Sequence, residues 1–324
     1  MPNNLIRTDL FNKVLLEPAK LDVNHLYVVS GYASSAMVFH HAEHLKKINA
    51  NIFVHLIIGM VGKDGLSPDY HRAFKKLASN DLLDRFECKY LTGSPAVHSK
   101  TYAWTKDVNP IAGFIGSANY SQQAFVGNKQ REIITTCNSN DAYEYYNSLI
   151  SDTICCTHLD AENVIKMGSR ASYNPVDKFD LPTTTQQYSN NPQHIRCSLI
   201  NRSGIVSERS GLNWGQRPEE KREPNQAYIP LKSEVYNTTF FPPIATHFTI
   251  NTDDGQIIIC TRAQQNGKAI HTPHNNSLIG EYFRNRLGVA LGELVTMKHL
   301  LDYGRTDIDF YKIDDENYYM DFSI

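Results

Sequence analysis

Residues 96–132 read AVHSKTYAWTKDVNPIAGFIGSANYSQQAFVGNKQRE, and this stretch decides the fold of the first half of the chain. It opens with two strand-like runs, residues 96–104 and 111–116. The two runs follow each other too closely to be joined by the crossover helix that a parallel pair needs. The sheet to which they belong is therefore predicted to be mixed rather than wholly parallel.

Polar side chains mark the ends of these two runs. His98 and Lys100 lie two residues apart in the first run, and Ser117 and Asn119 lie two residues apart just after the second. Because side chains alternate between the faces of a strand, each pair is predicted to share a face, with Ser99 pointing to the opposite side. The pattern predicts that an imidazole, an ammonium, a hydroxyl and an amide converge.

A glycine and a glutamate complete this group. Gly116 is expected to let the backbone approach closely just before Ser117, and Glu132 lies in the next predicted strand. One nucleophile surrounded by several donors suits a phosphate group, so we interpret the group as a phosphodiester-cleaving site. The candidate catalytic residues are His98, Lys100, Ser117, Asn119 and Glu132.

His-x-Lys alone is a weak signal, and the chain contains a second copy, His44-Leu45-Lys46. That copy lies in an amphipathic run, residues 37–48, in which side chains two apart diverge around a helix axis. We interpret it as a solvated helix face. The copy at His98 differs because a Gly-Ser-x-Asn motif and then a glutamate follow it, which favours the functional interpretation.

At these residues the chain resembles the phospholipase D superfamily, whose signature is His-x-Lys followed by Gly-Ser-x-Asn, over about residues 20–150. Many members carry an aspartate five residues after the lysine, where this chain has Thr105, with Asp107 nearby. The departure puts in doubt any carboxylate role at that position. The chain has one motif set, whereas the chemistry of the superfamily uses two histidines. The resemblance therefore implies a homodimer with the active site across its two-fold axis.

Length and composition are those of an ordinary soluble protein of two domains. The 324 residues are 20% charged and 41% hydrophobic, with a net charge of −2, so any contact with nucleic acid must come from a local basic face. The six cysteines show no CxxC spacing and are expected to be reduced thiols, and no metal site is predicted. With neither a signal-peptide pattern nor a membrane-spanning apolar stretch, we expect a cytoplasmic protein without membrane contact.

Strand-like and helix-like runs alternate through residues 5–154, which predicts an α/β domain with helices flanking the sheet. The predicted strands are residues 26–30, 51–58, 85–91, 96–104, 111–116 and 130–136. The predicted helices are residues 5–16, 34–48, 68–78, a short one from Ser121, and 141–154. The glycine-rich loop at 59–65 lacks the spacing of a phosphate-binding loop and is interpreted as a turn, so no nucleotide cofactor is expected.

Residues 168–194 are polar and punctuated by prolines, which is typical of a linker. The predicted boundary lies near residue 180. Residues 1–167 are predicted to form the catalytic and dimerisation domain, and residues 195–324 a second domain.

The second domain is different in kind. Its short β runs lie at residues 227–229, 244–250, 256–261, 294–296, 307–313 and 318–322. Asp254-Gly255 and Asn266-Gly267 are hairpin signals, and one helix is predicted at 278–287. Several short strands joined by tight turns predict a β-rich small barrel or pseudobarrel.

Two polar stretches of this domain, residues 208–222 and 262–276, combine basic, amide and aromatic side chains. Residues 195–286 hold 11 Lys/Arg and 8 Asp/Glu, a net charge of +3, whereas residues 287–324 hold 3 and 8, a net charge of −5. Arg, Asn and Gln read base edges in the major groove, and Lys contacts phosphates, although either stretch alone is more simply a polar loop. The candidate DNA-contacting residues are Arg209, Asn213, Trp214, Gln216, Arg217, Lys221, Arg222, Arg262, Gln264, Gln265, Asn266, Lys268, His271 and Asn275.

Longer motifs make the resemblance closer. GLNWGQR at 211–217, TDDGQIIICTRAQQNGKAIHTP at 252–273 and LIGEYFRNRLG at 278–288 look like those of the NgoFVII-type restriction endonucleases, which are similar in plan to BfiI. That plan joins a phospholipase D-like nuclease domain to a DNA-recognition domain of the plant B-three type, whose two arms grip double-stranded DNA. The resemblance implies a type II restriction endonuclease with a cognate DNA methyltransferase as partner, and it leaves open a need for an ATP-dependent helicase.

The expected mechanism is metal-independent hydrolysis through a covalent phosphohistidine on His98. Lys100 and Asn119 are expected to hold the phosphate oxygens, and Glu132 to accept a hydrogen bond from His98. Three alternatives stay open: a non-specific nuclease, a phospholipase, and a DNA-binding regulator whose relic nuclease domain only dimerises. The second domain argues against the first, and the lack of an amphipathic interfacial stretch against the second. Salt-dependent DNA binding that survives His98→Ala, without cleavage by the wild type, would indicate the third.

Overall fold

The computed structural model describes residues 5–127, 129–165 and 194–324. The chain divides into two compact units, Met1–Ser172 and Tyr173–Ile324. The predicted linker, residues 168–194, lies outside the described residues except for His194, which begins the first strand of the second unit. None of the helices in the described ranges has the length and apolar character needed to cross a membrane.

The first unit contains a mixed seven-stranded sheet, which confirms the predicted α/β class. Its strands are β1 (His25–Ser30), β2 (Phe53–Ile58), β3 (Phe86–Leu91), β4 (Thr101–Lys106), β5 (Asn109–Gly116), β6 (Ile134–Cys137) and β7 (Thr153–Cys155). Their order across the sheet is β6-β5-β4-β1-β2-β3-β7. The apolar strands β1, β2 and β3 pair in parallel at the centre, and every other pair is antiparallel.

Helices pack against this sheet. They are α1 (Ser35–Lys47), α2 (Val61–Asp64), α3 (Pro68–Lys76), α4 (Gln122–Phe125), α5 (Ser139–Leu149) and α6 (Ala161–Val164), with π-helical turns at Phe11–Leu16 and Leu77–Asp81. Ser34 caps α1 by accepting a hydrogen bond from the Met37 amide at 3.1 Å. Tyr146 of α5 is buried against Val29 and Ile57 of the central strands. The sheet is thus held by apolar packing beneath α5.

Some predicted elements of this unit begin later than expected. The N-terminal helix starts at Phe11 instead of residue 5, because Ile6 pairs with Ile134 in an isolated antiparallel bridge. Residues 96–100 precede β4, which begins at Thr101, and the Val97 amide bonds to the Gly59 carbonyl at 3.1 Å, just past the end of β2. Likewise residues 130–133 precede β6. The prediction that His98 lies within a strand was therefore wrong, and so was the same prediction for Glu132.

The second unit is a nearly closed β-barrel, as predicted. Its strands are β8 (His194–Ser198), β9 (Ile229–Pro230), β10 (His247–Thr252), β11 (Ile257–Ala263), β12 (Ala269–His271), β13 (Asp307–Lys312) and β14 (Asn317–Asp321). Their order is β8-β13-β14-β10-β11-β12-β9, and the two end strands lie close together. Aromatic side chains such as Phe248, Phe310 and Tyr318 fill its interior.

Within residues 194–324, three α-helices accompany the barrel: α7 (Ser233–Tyr236), α8 (Leu278–Leu287) and α9 (Met297–Tyr303). The prediction of α8 is confirmed at both ends, and both glycine turns join antiparallel strands as expected. The predicted strand at 294–296 was wrong, because the Val295 backbone bonds to the Asn213 side chain and not to a neighbouring strand. Strands β8 and β12 and helices α7 and α9 were missed.

Candidate functional site

The candidate catalytic residues lie at the end of the first sheet where β1 and β2 finish and β4 begins. His98 packs against Gly31, the first residue after β1, where a Cβ atom would come within 2.9 Å of His98 Cδ2. At Gly59, the first residue after β2, a Cβ atom would come within 2.1 Å of the Val97 carbonyl oxygen. Glycine at both strand ends therefore allows the segment that carries His98 to cross the sheet in close contact.

Lys100 folds back onto the exposed imidazole of His98. The ammonium Nζ lies 3.1 Å from His98 Nδ1 and 3.2 Å from His98 Nε2, and it donates to the His98 carbonyl at 2.5 Å. Lys100 is only 5% exposed, and this burial lowers the pKa of its ammonium, while the nearby Glu132 carboxylate raises it. The pair therefore presents a histidine with a largely desolvated cation beside it.

Asn119 is oriented from the side of β1. Its Oδ1 accepts a hydrogen bond from the Tyr32 amide at 3.2 Å and lies 3.5 Å from the Ser30 hydroxyl. The buried Ser30 hydroxyl in turn accepts from the Tyr120 amide at 2.9 Å. With Oδ1 held in this way, the Asn119 amide nitrogen faces away from β1 and has donors left for an anion.

Ser117 and Glu132 form the other side of the site. The Ser117 hydroxyl donates to the Glu132 carboxylate and accepts from the Ile133 amide at 3.0 Å. Gly116 permits this approach, since a Cβ atom there would come within 2.2 Å of the Ile133 carbonyl oxygen. The expected hydrogen bond from His98 to Glu132 does not form within one chain. Glu132 instead bonds to Ser117 and lies close enough to Lys100 to raise its pKa.

Four of the five predicted catalytic residues are linked directly: His98 contacts Lys100, Ser117 contacts Glu132, and Glu132 lies close enough to Lys100 to raise its pKa. Asn119 joins them through Tyr32, whose amide donates to Asn119 and whose ring meets that of His98. They offer one imidazole nucleophile, one cation, one amide and one carboxylate–hydroxyl pair around a single position, which suits attack on a phosphate group. Within residues 5–127, 129–165 and 194–324, no group of three or more His, Cys, Asp or Glu side chains could hold a metal ion.

Thr105, where many phospholipase D relatives have aspartate, lies at the opposite end of β4. Thr101 pairs with Val29 near the site, whereas Thr105 pairs with His25 at the start of β1. The Thr105 hydroxyl donates to the Asp107 carbonyl at 2.6 Å and so stabilises the turn before β5. The departure from the superfamily pattern therefore falls outside the candidate site.

Sequence analysis missed one residue beside His98, Tyr32, and its partner Asp64. The Tyr32 ring meets the His98 ring edge-on, with centroids 5.8 Å apart, and its hydroxyl donates to Asp64 of α2. Tyr32 is 40% exposed. A tyrosine directly after a strand-ending Ser-Gly was the signal available, but its proximity to His98 depends on how β1 and β4 pair.

In the first polar stretch of the barrel unit, the arginines form ion pairs with two glutamates of one turn. Arg209 pairs with Glu219, and Arg217 and Arg222 both pair with Glu220, at 2.9 Å and 2.5 Å. These ion pairs lower the pKa of the Glu220 carboxyl, chiefly through the hydrogen bond from Arg217. The basic charge of this stretch is therefore balanced within the protein.

The aromatic and amide residues of the same stretch differ in accessibility. The Arg222 guanidinium stacks over Trp214 at 4.1 Å. Asn213 is fully buried, and its amide bonds the Ser207 and Val295 backbone, so we reassign it from DNA contact to a structural role. The Gln216 amide nitrogen bonds two backbone carbonyls, while Lys221 is exposed.

The second polar stretch includes the β11–β12 turn. Gln264, Gln265, Asn266 and Lys268 are exposed on it. Arg262, by contrast, is 8% exposed and bonds only backbone carbonyls in the described part of the chain, so it too is reassigned to a structural role.

Two other candidates of this stretch lie beyond β12. The His271 Nδ1 pairs with the Asn276 side chain at 3.0 Å, and burial lowers the pKa of the imidazole. Asn275 is exposed, although its Oδ1 accepts from the Ser277 amide.

Comparison with protein families gives two matches. Residues 8–163 match the NgoFVII restriction endonuclease N-terminal PLD domain, and residues 187–314 match the NgoFVII C-terminal B3-like DNA-binding domain. Together the matches leave only the two ends of the chain and residues 164–186 uncovered. A comparison with curated proteins gave no match.

Two solved structures are similar to about half of this chain. NucT from Helicobacter pylori is 15% identical, with a TM-score of 0.34, covering 47% of this chain and 97% of its own. Nuc from Salmonella typhimurium, a phospholipase D family member, is 12% identical, with a TM-score of 0.35, covering 47% and 96%. At this level of similarity the two structures add nothing to the family matches.

Proposed function

The chain belongs to the NgoFVII family of restriction endonucleases, and from this premise we propose that it is a type II, metal-independent, site-specific deoxyribonuclease. The observation that carries the proposal is the convergence of His98, Lys100, Asn119 and Glu132 at one end of the first sheet. The exposed amide and basic side chains of the barrel unit support double-stranded DNA as the substrate.

In the first step, the neutral imidazole of His98 attacks phosphorus. An N–P bond forms while the bond from phosphorus to the leaving oxygen breaks, and the protonated His98 of the partner subunit donates the proton that this oxygen needs. In the second step, the partner subunit's His98, now neutral, removes a proton from water. The water oxygen displaces His98 from phosphorus, so both histidines return to their starting states.

Lys100 and Asn119 stabilise the charge that builds on the non-bridging oxygens. The Lys100 ammonium is buried and therefore acts in a medium of low dielectric constant, where its attraction for an anion is stronger than in water. The Asn119 amide is held through Oδ1 before substrate binds, so little reorganisation is needed. Every one of these steps uses side chains of the protein alone.

The homodimer supplies the second histidine, because each chain carries one motif set. Two isoleucines beside the site are exposed, Ile115 at 43% and Ile133 at 46%. Ile115 lies on β5 two residues before Ser117, and Ile133 follows Glu132 just before the edge strand β6. An apolar surface at the mouth of the site supports its burial against a second copy.

The other partners follow from this role. A nuclease that cuts specific DNA needs a cognate methyltransferase to protect the same sequence in its own cell, as in a restriction-modification system, and we place the protein in the cytoplasm. An ATP-dependent helicase stays a second possible partner. A non-specific nuclease, a phospholipase and a DNA-binding regulator remain the competing functions.

The decisive experiment is cleavage of a long duplex of mixed sequence in excess EDTA. Wild type is compared with His98→Ala and with His44→Ala, the matched substitution in the helical His-x-Lys copy. Discrete fragments from wild type and His44→Ala, but not from His98→Ala, would support the proposal. A smear would indicate a non-specific nuclease, and cleavage by His98→Ala would refute the site. Binding without cleavage by any of the proteins would point to the regulator.

A further inference from the structure

A buried arginine lies directly behind the exposed β11–β12 turn of the barrel. The Arg262 guanidinium donates to the carbonyls of Gly267 at 3.0 Å, Asn266 at 3.0 Å and Tyr236 at 2.7 Å, and more weakly to Pro242 at 3.4 Å. Arg262 as a whole is only 8% exposed. With its donors directed at backbone oxygens, this guanidinium has little left for a phosphate or a base.

The turn that Arg262 holds has an unusual backbone. Gln264 has φ 63° and ψ 173°, a combination that is essentially restricted to glycine, and Asn266 has φ 60° and ψ 12°. Such conformations persist only where the surroundings over-determine them, and they concentrate at functional sites. The hydrogen bonds from Arg262 to the carbonyls of residues 266 and 267 supply that constraint.

Gly267 fits the same arrangement. It has φ 67°, and a Cβ atom there would come within 2.7 Å of both Nε and Nη2 of Arg262. The Gly267 amide also donates to the Gln264 carbonyl at 2.9 Å, which closes the turn. Arg262, Gly267 and Gln264 therefore form one hydrogen-bonded unit beneath the exposed side chains.

We propose that Arg262 is a positioning residue that fixes the turn 264–267, so that the exposed amides of Gln265 and Asn266 read adenine in the major groove. Glutamine and asparagine amides match the N6 donor and N7 acceptor of adenine, and such pairing depends on where the amide is held. A rigid turn removes the ordering cost that a mobile glutamine would otherwise incur on binding. The inference rests on the proposed function, since it requires sequence-specific binding of DNA.

The test uses the full chain carrying His98→Ala, so that DNA is bound without being cut. The preferred duplex is selected from a random-sequence library, and its affinity is compared with that of a scrambled duplex at several salt concentrations. Arg262→Lys is expected to reduce the ratio of the two affinities by tenfold or more and to leave the salt dependence unchanged. Lys268→Ala, in contrast, should weaken both complexes and reduce the salt slope by about 0.9, as loss of one phosphate contact does.

Two further measurements keep the test decisive if Arg262→Lys folds poorly. Gly267→Ala retains the guanidinium but pushes it out of place, and it should cause the same loss of discrimination. Hydrogen exchange should show that the Gly267 amide loses protection in Arg262→Lys. Replacing the recognised adenine with 7-deazaadenine, which lacks N7, should cost the parent protein about tenfold in affinity and cost Gln265→Ala nothing further.

Several outcomes would overturn the inference. If Arg262→Lys and Gly267→Ala both keep the parent protein's ratio of affinities for the preferred and scrambled duplexes, Arg262 has no positioning role. A reduced salt slope in Arg262→Lys would make Arg262 a phosphate contact. If the parent protein prefers no duplex in the library, the proposed function fails, and the inference falls with it. If the parent is selective but insensitive to 7-deazaadenine at every position, only the assignment of adenine to this turn fails.

Discussion

The carboxylate of Glu132 accepts the hydroxyl hydrogen of Ser117, and this contact turns Glu132 toward Lys100 rather than toward His98. Burial lowers the pKa of Lys100, and the negative charge of Glu132 opposes that effect. Within one chain, the Glu132 carboxylate therefore favours the protonated form of Lys100. This role differs from the one that the sequence suggested.

Glu132→Gln is expected to move the alkaline limit of cleavage to lower pH. Without the carboxylate, the pKa of Lys100 falls further below its ordinary value, so the ammonium deprotonates earlier as pH rises. The measurement is kcat against pH for wild type, Glu132→Gln and Ser117→Ala. Because Ser117→Ala keeps the negative charge of Glu132, it should shift the alkaline limit of the pH profile less. An unchanged alkaline limb in Glu132→Gln would contradict this electrostatic role.

Ser30→Ala is expected to lower kcat about tenfold with little change in KM. The Ser30 hydroxyl donates to the Tyr32 carbonyl at 2.5 Å and accepts from the Tyr120 amide at 2.9 Å, so its loss loosens the backbone on both sides of Asn119, including the Tyr32 amide that holds Oδ1. A misplaced donor costs transition-state stabilisation more than binding. Ser30→Thr, which keeps the hydroxyl, should restore most of the activity. Equal loss in both variants would indicate a packing defect instead.

Mixed dimers should be inactive if two copies of His98 share one site. When wild type and His98→Ala are co-refolded in equal amounts, random pairing leaves about one quarter of the dimers with both histidines, so activity should fall to about one quarter of that of wild type alone at the same total protein. A fall to one half would mean that each chain acts independently. His44→Ala mixed with wild type serves as the control and should keep full activity.

Removing the glutamates of the first polar stretch should tighten DNA binding. Glu219 and Glu220 occupy Arg209, Arg217 and Arg222, so a phosphate must compete with them. The double variant Glu219→Gln/Glu220→Gln is expected to bind both specific and scrambled duplexes more tightly, with a steeper salt dependence by up to about 0.9 per arginine released. Fluorescence anisotropy across a salt series measures both effects.

The control for this experiment is Glu208→Gln/Glu234→Gln. It removes the same net charge from two exposed glutamates of the barrel unit without releasing those arginines. If it strengthens binding equally, the effect is one of overall charge and not of the ion pairs. Surface ion pairs contribute little to folding, so neither variant should unfold.

The stability of the protein should fall as pH drops from about 6.5 toward 4. His41 is buried, with Nδ1 2.7 Å from the Tyr120 hydroxyl and Nε2 2.9 Å from the Leu15 carbonyl, and burial lowers its pKa to about 4. Between these pH values the unfolded chain binds a proton at His41 that the folded chain does not. The contribution of neutral, buried His41 to the free energy of unfolding is therefore fully present above pH 6.5, and up to about 3 kcal/mol of it is lost on acidification.

Urea unfolding at pH 8 and pH 5 checks this expectation, with His41→Gln beside wild type. The variant loses the buried imidazole and should therefore show a smaller difference between the two pH values. An identical pH dependence in both proteins would mean that other groups cause it.

The sequence predicted those features that depend on local pattern. Apolar runs such as 51–58 predicted buried central strands, and Asp254-Gly255 predicted a hairpin. Both predictions depend only on residues that are neighbours in the sequence. The sequence also indicated that His98 and Lys100 would lie together, although for an incomplete reason. The two side chains converge because the lysine folds back onto the imidazole in a segment that precedes β4, and not because both lie within a strand.

Features that depend on distant pairing could not be predicted. Tyr32 reaches His98 because β1 and β4, far apart in sequence, lie side by side. In the same way, nothing near Arg262 in sequence shows that its guanidinium turns inward to backbone oxygens, so residue type alone suggested a DNA contact. Residue type predicts which chemical group a side chain offers. Whether that group is buried or exposed depends on the fold.

The two sheets share no strand: β1 to β7 complete the first, and β8 to β14 complete the second. In the described residues, the strands of each half therefore pair with strands of the same half. Chimaeras that graft the first half onto a different DNA reader should consequently keep their cutting chemistry while acquiring new target sequences. The two domains should therefore be exchangeable units in protein engineering.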